Sequence, residues 1–225
     1  VLGGGGAGLC AARLGAAVSI DLAGADRYEA TVPAFGSAML GAALLIDLAG
    51  DDRYVVPAGG IGFGWLGSGL LYDGGGDDRY QATRMAVGCG STGGLGAVID
   101  REGTDFYVVS GDDARDGHAI GIGAGVSAFQ DAPGGVGLVL DGAGDDVYRV
   151  SGWGGGFAYG VSFGALFDLT GDDTYSTGEA SLASGHAGGV ALCFDGLGAD
   201  RVLSRGYSQG FADGGIAMFV DQDGI

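Results

Sequence analysis

The chain has 225 residues, of which 53 are glycine and only 3 are proline, and its 28 acids against 10 bases leave a formal charge of −18. Glycine so far above the usual ~7% points to collagen, disorder or a tight repeat; no Gly-X-Y period runs through the chain, and 47% hydrophobic residues exceed what a disordered segment carries, which excludes the first two. The acidic balance excludes nucleic acid and anionic membranes as partners, and the charge-free stretches are too glycine-rich for membrane helices.

At the start, Gly3 to Gly8 match G-x-G-x-x-G, but only Val1 and Leu2 precede them, where a dinucleotide fold needs a strand. By Gly15, Ala17, Ile20 and Asp21 the chain is already in another register. Here begins the pattern D-x-x-G-x-D-x-Y. It runs as DLAGADRY from Asp21, DLAGDDRY from Asp47, DGGGDDRY from Asp73, DREGTDFY from Asp100, DGAGDDVY from Asp141 and DLTGDDTY from Asp168. DGLGADRV from Asp195 lacks the tyrosine, and a last copy opens at Asp221. Successive copies stand 26 or 27 residues apart, with one gap of 41 between Asp100 and Asp141.

The residue four before each first aspartate is always Gly or Ala, and the one just before it is always large and apolar (Ile20, Ile46, Tyr72, Ile99, Leu140, Phe167, Phe194, Val220). Each unit therefore reads as a glycine-rich arc, a short apolar strand, an Asp-Gly turn and a second strand from the tyrosine. One such unit cannot bury its own apolar face, but stacked units can. The pattern predicts an all-β fold: a right-handed parallel β-solenoid of about eight 26–27-residue coils with one insertion, forming a single domain over 1–225. A membrane β-barrel would instead alternate apolar and polar residues, unlike Leu44-Leu45-Ile46. The chain starts on a glycine run and stops inside a motif, so it reads as a piece of a longer protein.

The 41-residue gap places an insertion loop at 110–133, and insertions in repeat proteins often carry the binding face. Asp112, Asp113, Arg115, Asp116 and His118 lie there and are the candidate catalytic residues of a β-helix polysaccharide lyase or hydrolase. Two G-x-S-x-G matches, around Ser162 and Ser208, are what chance gives in so glycine-rich a chain, and Ser162 occupies a position held elsewhere by Gly. Cys10, Cys89 and Cys193 have no metal or disulfide spacing and read as small buried apolar residues.

In a solenoid, equivalent residues stack. The first aspartates form one column (Asp21, Asp47, Asp73, Asp100, Asp141, Asp168, Asp195) and the second another (Asp26, Asp52, Asp78, Asp105, Asp146, Asp173, Asp200), with Asp51, Asp77, Asp145 and Asp172 between them. Like charges one coil apart repel by about 3–4 kcal/mol at a surface-like dielectric. Repeated up the stack, that exceeds a typical protein's whole stability. Calcium, which takes six to eight hard oxygen ligands, is the expected cofactor, and these fourteen aspartates are its expected ligands. A metal-free alternative has the aspartates capping turn N–H groups, with Arg27, Arg53, Arg79 and Arg201 balancing charge. The tyrosines (Tyr28, Tyr54, Tyr80, Tyr107, Tyr148, Tyr175) are expected to form a structural stack.

The segment Gly142 to Tyr148 fits G-x-G-x-D-x-U, as does Gly74 to Tyr80. In this it resembles the calcium-binding nonapeptide of repeats-in-toxin proteins. The resemblance implies that Asp78 and Asp146 are carboxylate ligands, with turn carbonyls beside them. It covers about eight residues per unit, and this chain carries one such turn per coil where those proteins carry two, so it implies no toxin. The expected function is a non-catalytic, extracellular, cell-surface or periplasmic module that is structural, adhesive or carbohydrate-contacting. Carbohydrate or other protein chains are its candidate partners, and self-assembly through open coil ends is a further expectation.

Overall fold

The computed structural model describes residues 9–111, 120–127 and 132–223, and the statements that follow concern these. The chain is an all-β parallel solenoid. One coil runs through a short strand (Ser37–Met39), a longer one ending on the first aspartate (Ala42–Asp47), and a third that follows the Asp-Gly turn and carries the tyrosine (Arg53–Ala58). Each strand pairs in parallel with its equivalent one coil away, so Asp47 lies beside Asp73 and Tyr54 beside Tyr80. The resulting sheets have eight short strands, eight aspartate-bearing strands and seven tyrosine-position strands. A fourth sheet of four strands spans Ile120–Gly121, Trp153–Gly154, Ala180–Ser181 and Tyr207–Ser208. The parallel ladders exclude the antiparallel membrane barrel.

There are about seven coils rather than the eight expected. Eight aspartate strands are present, but only seven strands follow the turn, because no tyrosine-position strand follows the copy that opens at Asp221. The long gap leaves the stack intact. The N–H of Asp105 donates to Asp146 across 41 residues as its counterparts do across 26 or 27. Within the 110–133 stretch, Ile120–Gly121 and Gly125–Val126 run in sheet register.

Strand alternation decides which side chains face inward. In Ala42–Asp47 the buried positions are Ala43, Leu45 and Asp47, while Leu44 and Ile46 face outward. The inner apolar column of Leu45, Leu71, Val98, Val139, Leu166 and Cys193 is fully buried, each larger side chain contributing about 1.5–3 kcal/mol. The small residues four before the aspartates stand where two sheets touch: a Cβ on Gly164 would lie 1.9 Å from the carbonyl oxygen of Phe157. Glycine in the turn has a different cause. Gly144 has φ +148°, and a Cβ there would sit 1.4 Å from the Gly103 oxygen of the coil below.

The tyrosines form the expected stack, with successive ring centroids 4.8–5.1 Å apart and interplanar angles of 0–10°. The cysteines are buried free thiols, and burial pushes Cys89 up to about 12.

Candidate metal centre

The aspartate columns lie inside the solenoid, not along its edge. Asp73, Asp100, Asp105, Asp141 and Asp168 are fully buried, and Asp47, Asp52, Asp78, Asp146, Asp173 and Asp195 nearly so. Asp21 and Asp26, in the first coil, are half-buried, as is Asp200. The first aspartate is inward because it has the same strand parity as the small residue four before it. The second is turned inward by the Asp-Gly turn.

Each column is anchored through one carboxylate oxygen. In the first column the anchor is the tyrosine ladder. Tyr28 donates to Asp47 at 2.7 Å, Tyr54 to Asp73 at 2.9 Å, Tyr80 to Asp100 at 2.6 Å, Tyr107 to Asp141 at 2.5 Å and Tyr148 to Asp168 at 2.7 Å, in every case to Oδ2. Each bond reaches from one coil to the next. In the second column the anchor is backbone. The N–H of Asp26, Asp52, Asp78, Asp105, Asp146 and Asp173 donates to Oδ1 of the next aspartate at 2.6–2.8 Å.

The other oxygen of most of these carboxylates is buried and has no hydrogen-bond partner. This holds for Oδ1 of Asp47, Asp100, Asp141 and Asp168, for both oxygens of Asp195, and for Oδ2 of Asp52, Asp78, Asp105, Asp146, Asp173 and Asp200. Asp73 differs, its Oδ1 accepting from the Gly75 N–H at 3.2 Å. Orphaned buried polar atoms are rare, and each needs an explanation.

The columns converge in five groups of three: Asp52–Asp73–Asp78, Asp78–Asp100–Asp105, Asp105–Asp141–Asp146, Asp146–Asp168–Asp173 and Asp173–Asp195–Asp200. Within each, one oxygen per residue lies within 4.8 Å of the others, a span that a cation with ligands at about 2.3–2.6 Å can bridge. Asp78, Asp105, Asp146 and Asp173 each serve two groups. Asp21, Asp26 and Asp47 belong to none of the five.

Burial, followed by the charge of neighbouring carboxylates, pushes Asp78, Asp105 and Asp146 upward. Asp78 and Asp146 rise to about 9 and Asp105 to about 11. Without a cation the groups resist ionisation, so they must hold either protons or metal. Three arginines of the metal-free alternative have contacts away from the aspartate columns. Arg27 donates to Glu29, Arg53 to Gln81, and Arg79 lies over the Phe106 ring. Each precedes the inward tyrosine, so alternation turns it outward. The intermediate aspartates are exposed and accept backbone N–H groups, Asp51 from Asp77 at 3.1 Å and Asp145 from Asp172 at 2.9 Å.

Comparison with known protein families, with characterised proteins and with solved structures yields no match. The site must therefore be judged on its own chemistry. Its donors are all oxygen, which suits a hard cation.

The candidate catalytic residues Asp112, Asp113, Arg115, Asp116 and His118 lie outside the described residues, as does the Gly3 to Gly8 motif. Ser162 donates to the carbonyls of Gly125 and Tyr159 and is a structural hydroxyl. The tyrosine hydroxyls escaped the sequence reading, which took the tyrosines only as stacking rings, whereas the backbone N–H bonds to the second aspartates are of the kind its metal-free alternative described. An aromatic cleft of about 200 Å³, lined by Trp153, Tyr159, Glu179, His186 and Tyr207 among others, had no signal, because its rings come from three coils without a shared motif. No helix in the described residues is long and apolar enough to cross a membrane.

Proposed function

We propose that the chain is a non-catalytic structural solenoid whose coils are clamped by calcium in the five aspartate groups. The observation that carries this reading is the orphaned oxygen left on nearly every buried aspartate. Charge stoichiometry supports it too, since each coil adds two buried aspartates and one divalent ion per group balances them. Calcium is favoured over magnesium because it accepts irregular oxygen sets, whereas magnesium demands near-ideal octahedral geometry and retains water, for which buried triads are unsuited. The match of Gly142 to Tyr148 with the repeats-in-toxin nonapeptide supports the same ion. A stack that needs many calcium ions fits a calcium-rich setting outside the cytoplasm, where modules bind with affinities of about 10⁻⁴–10⁻³ M.

Calorimetry in calcium and in chelator tests the proposal. Calcium should raise the melting temperature in proportion to the sites filled, and equal melting in both buffers would remove the metal from the account. Carbohydrate contact is supported by the cleft around Trp153, where Tyr159 and Tyr207 add further rings to the lining. A glycan array read with native protein and Trp153→Ala checks it, loss of any signal in the variant being the expected result.

A further inference from the structure

The outer face of the aspartate sheet is continuously apolar along two columns. In its strands the five residues before each first aspartate (16–20, 42–46, 68–72, 95–99, 136–140, 163–167, 190–194 and 216–220) are all uncharged. The tyrosine sheet, by contrast, turns Arg27, Arg53, Arg79, Arg149 and Arg201 away from its buried tyrosines. Alternation places two apolar columns outward on the aspartate sheet. One runs Ile46, Tyr72, Ile99, Leu140, Phe167, Phe194, and the other Leu44, Leu70, Ala97, Leu138, Ala165, Leu192, in continuous parallel register. The large members of both columns are only partly buried, and toward the stack ends Val18, Ile20, Ile216 and Met218 are more than half exposed.

Eight strands about 4.8 Å apart and five residues at about 3.3 Å each make a face of roughly 640 Å² in projection. Monomers rarely leave apolar patches larger than about 300–600 Å², and stable interfaces bury about 800 Å² per partner once side-chain relief is counted. The second column also has relief of a particular kind. Leu70, Ala97, Leu138, Ala165 and Leu192 alternate large and small, so leucine knobs recur every second coil with notches between them at Ala97 and Ala165, both buried by their neighbours.

We propose that this face is covered by a second copy of the same chain, in an isologous sheet-on-sheet dimer. With a two-fold axis parallel to the strands and passing between two coils, the leucine knobs of one copy meet the alanine notches of the other, which gives the self-complementarity an isologous interface requires. Packed sheets lie about 10 Å apart with strands near parallel, which suits side chains of this size. Two chains of charge −18 can also approach through this face without opposing outward carboxylates, since the aspartates of its strands point inward. The inference does not rest on the metal proposal.

Sedimentation equilibrium of the 225-residue chain in calcium buffer tests it, using the native protein, the double variant Leu70→Lys/Leu138→Lys, and Val108→Lys on the tyrosine sheet as control. Native protein and control should be dimers at micromolar concentration. The double variant should dissociate at least about 100-fold more readily while keeping the native circular dichroism spectrum and melting temperature, because both leucines point away from the core. A monomeric native protein overturns the proposal, as does a double variant that dimerises like the control. Sedimentation of native protein with phosphatidylcholine vesicles, abolished in the double variant, would assign the face to lipid instead and equally overturn it.

Discussion

Asp105 is the most informative single position, because it belongs to two of the five groups and its replacement acts with opposite sign in the two metal states. Asp105→Asn is nearly isosteric. The amide oxygen can keep the 2.6 Å bond from the Asp78 N–H, and the new N–H₂ replaces the orphaned Oδ2, beside the neighbouring carboxylates. In chelator the native carboxyl is a burden. Burial and the Asp100 charge push it from 3.8 to about 11, so folding at neutral pH takes up a proton across roughly three pH units, on the order of 4 kcal/mol. Asparagine carries no such cost. At about 2–4 °C per kcal/mol for a chain of this size, the variant should melt about 8–16 °C higher than native protein in chelator. In calcium the balance reverses. A site held at a thousand times its dissociation constant contributes about 4 kcal/mol, and two sites lose a ligand, so the variant should melt about 20 °C lower. Differential scanning calorimetry of both proteins in both buffers reads the four values. A shift of the same sign in both buffers would refute the shared-carboxylate geometry.

Tyr107→Phe removes the donor that spans Asp100 and Asp141 at 3.3 and 2.5 Å; it should cost about 1–3 kcal/mol in either buffer, measured by denaturant unfolding, with the calcium stoichiometry unchanged. Gly144→Ala should disrupt the stack outright, since the new methyl would overlap the Gly103 carbonyl at 1.4 Å, and loss of the native circular dichroism spectrum is the readout. The pH dependence in chelator should run opposite to that of most proteins. Burial raises Asp78 and Asp146 to about 9 and Asp168 to about 10, so the unfolded chain ionises first as pH rises. Stability is then greatest below about pH 4 and falls toward about pH 9. With calcium the trend should invert, because the ion displaces those protons; melting curves across that range, with and without metal, distinguish the two.

The period, the strand-turn-strand order of each coil and the two aspartate columns could be read from residues alone, because stacking forces equivalent positions into register and the motif marks that register in every unit. What the motif did not announce was direction. Leu44, Leu45 and Ile46 are all apolar, so hydrophobicity leaves the parity of the strand open, and with it the direction in which the aspartates point. The parity was nevertheless present in Ala43, which must be inward because only a small residue fits between the sheets there, and which shares its parity with Asp47. The tyrosines gave a matching clue, since each follows an outward position in its strand. The candidate residues from Asp112 to His118 offered no such check, because nothing in the repeat fixes where an insertion points.

Burial changes what the aspartates do energetically. On a surface, water and salt would screen the columns and the metal would be a modest addition. Inside, most of these carboxylates are held through one oxygen, by a tyrosine or by a backbone N–H of the neighbouring coil, and the other oxygen has no hydrogen-bond partner. Because Asp78, Asp105, Asp146 and Asp173 each face two groups, filling one group fixes a ligand of the next and lowers the ordering cost there. Coupling between neighbours is then a property of the geometry, as in a one-dimensional array in which every unit contacts only the units beside it. The stack should therefore load and tighten as a line. The first coil, whose Asp21 and Asp26 are half-buried and absent from all five groups, is the place where that line is least constrained.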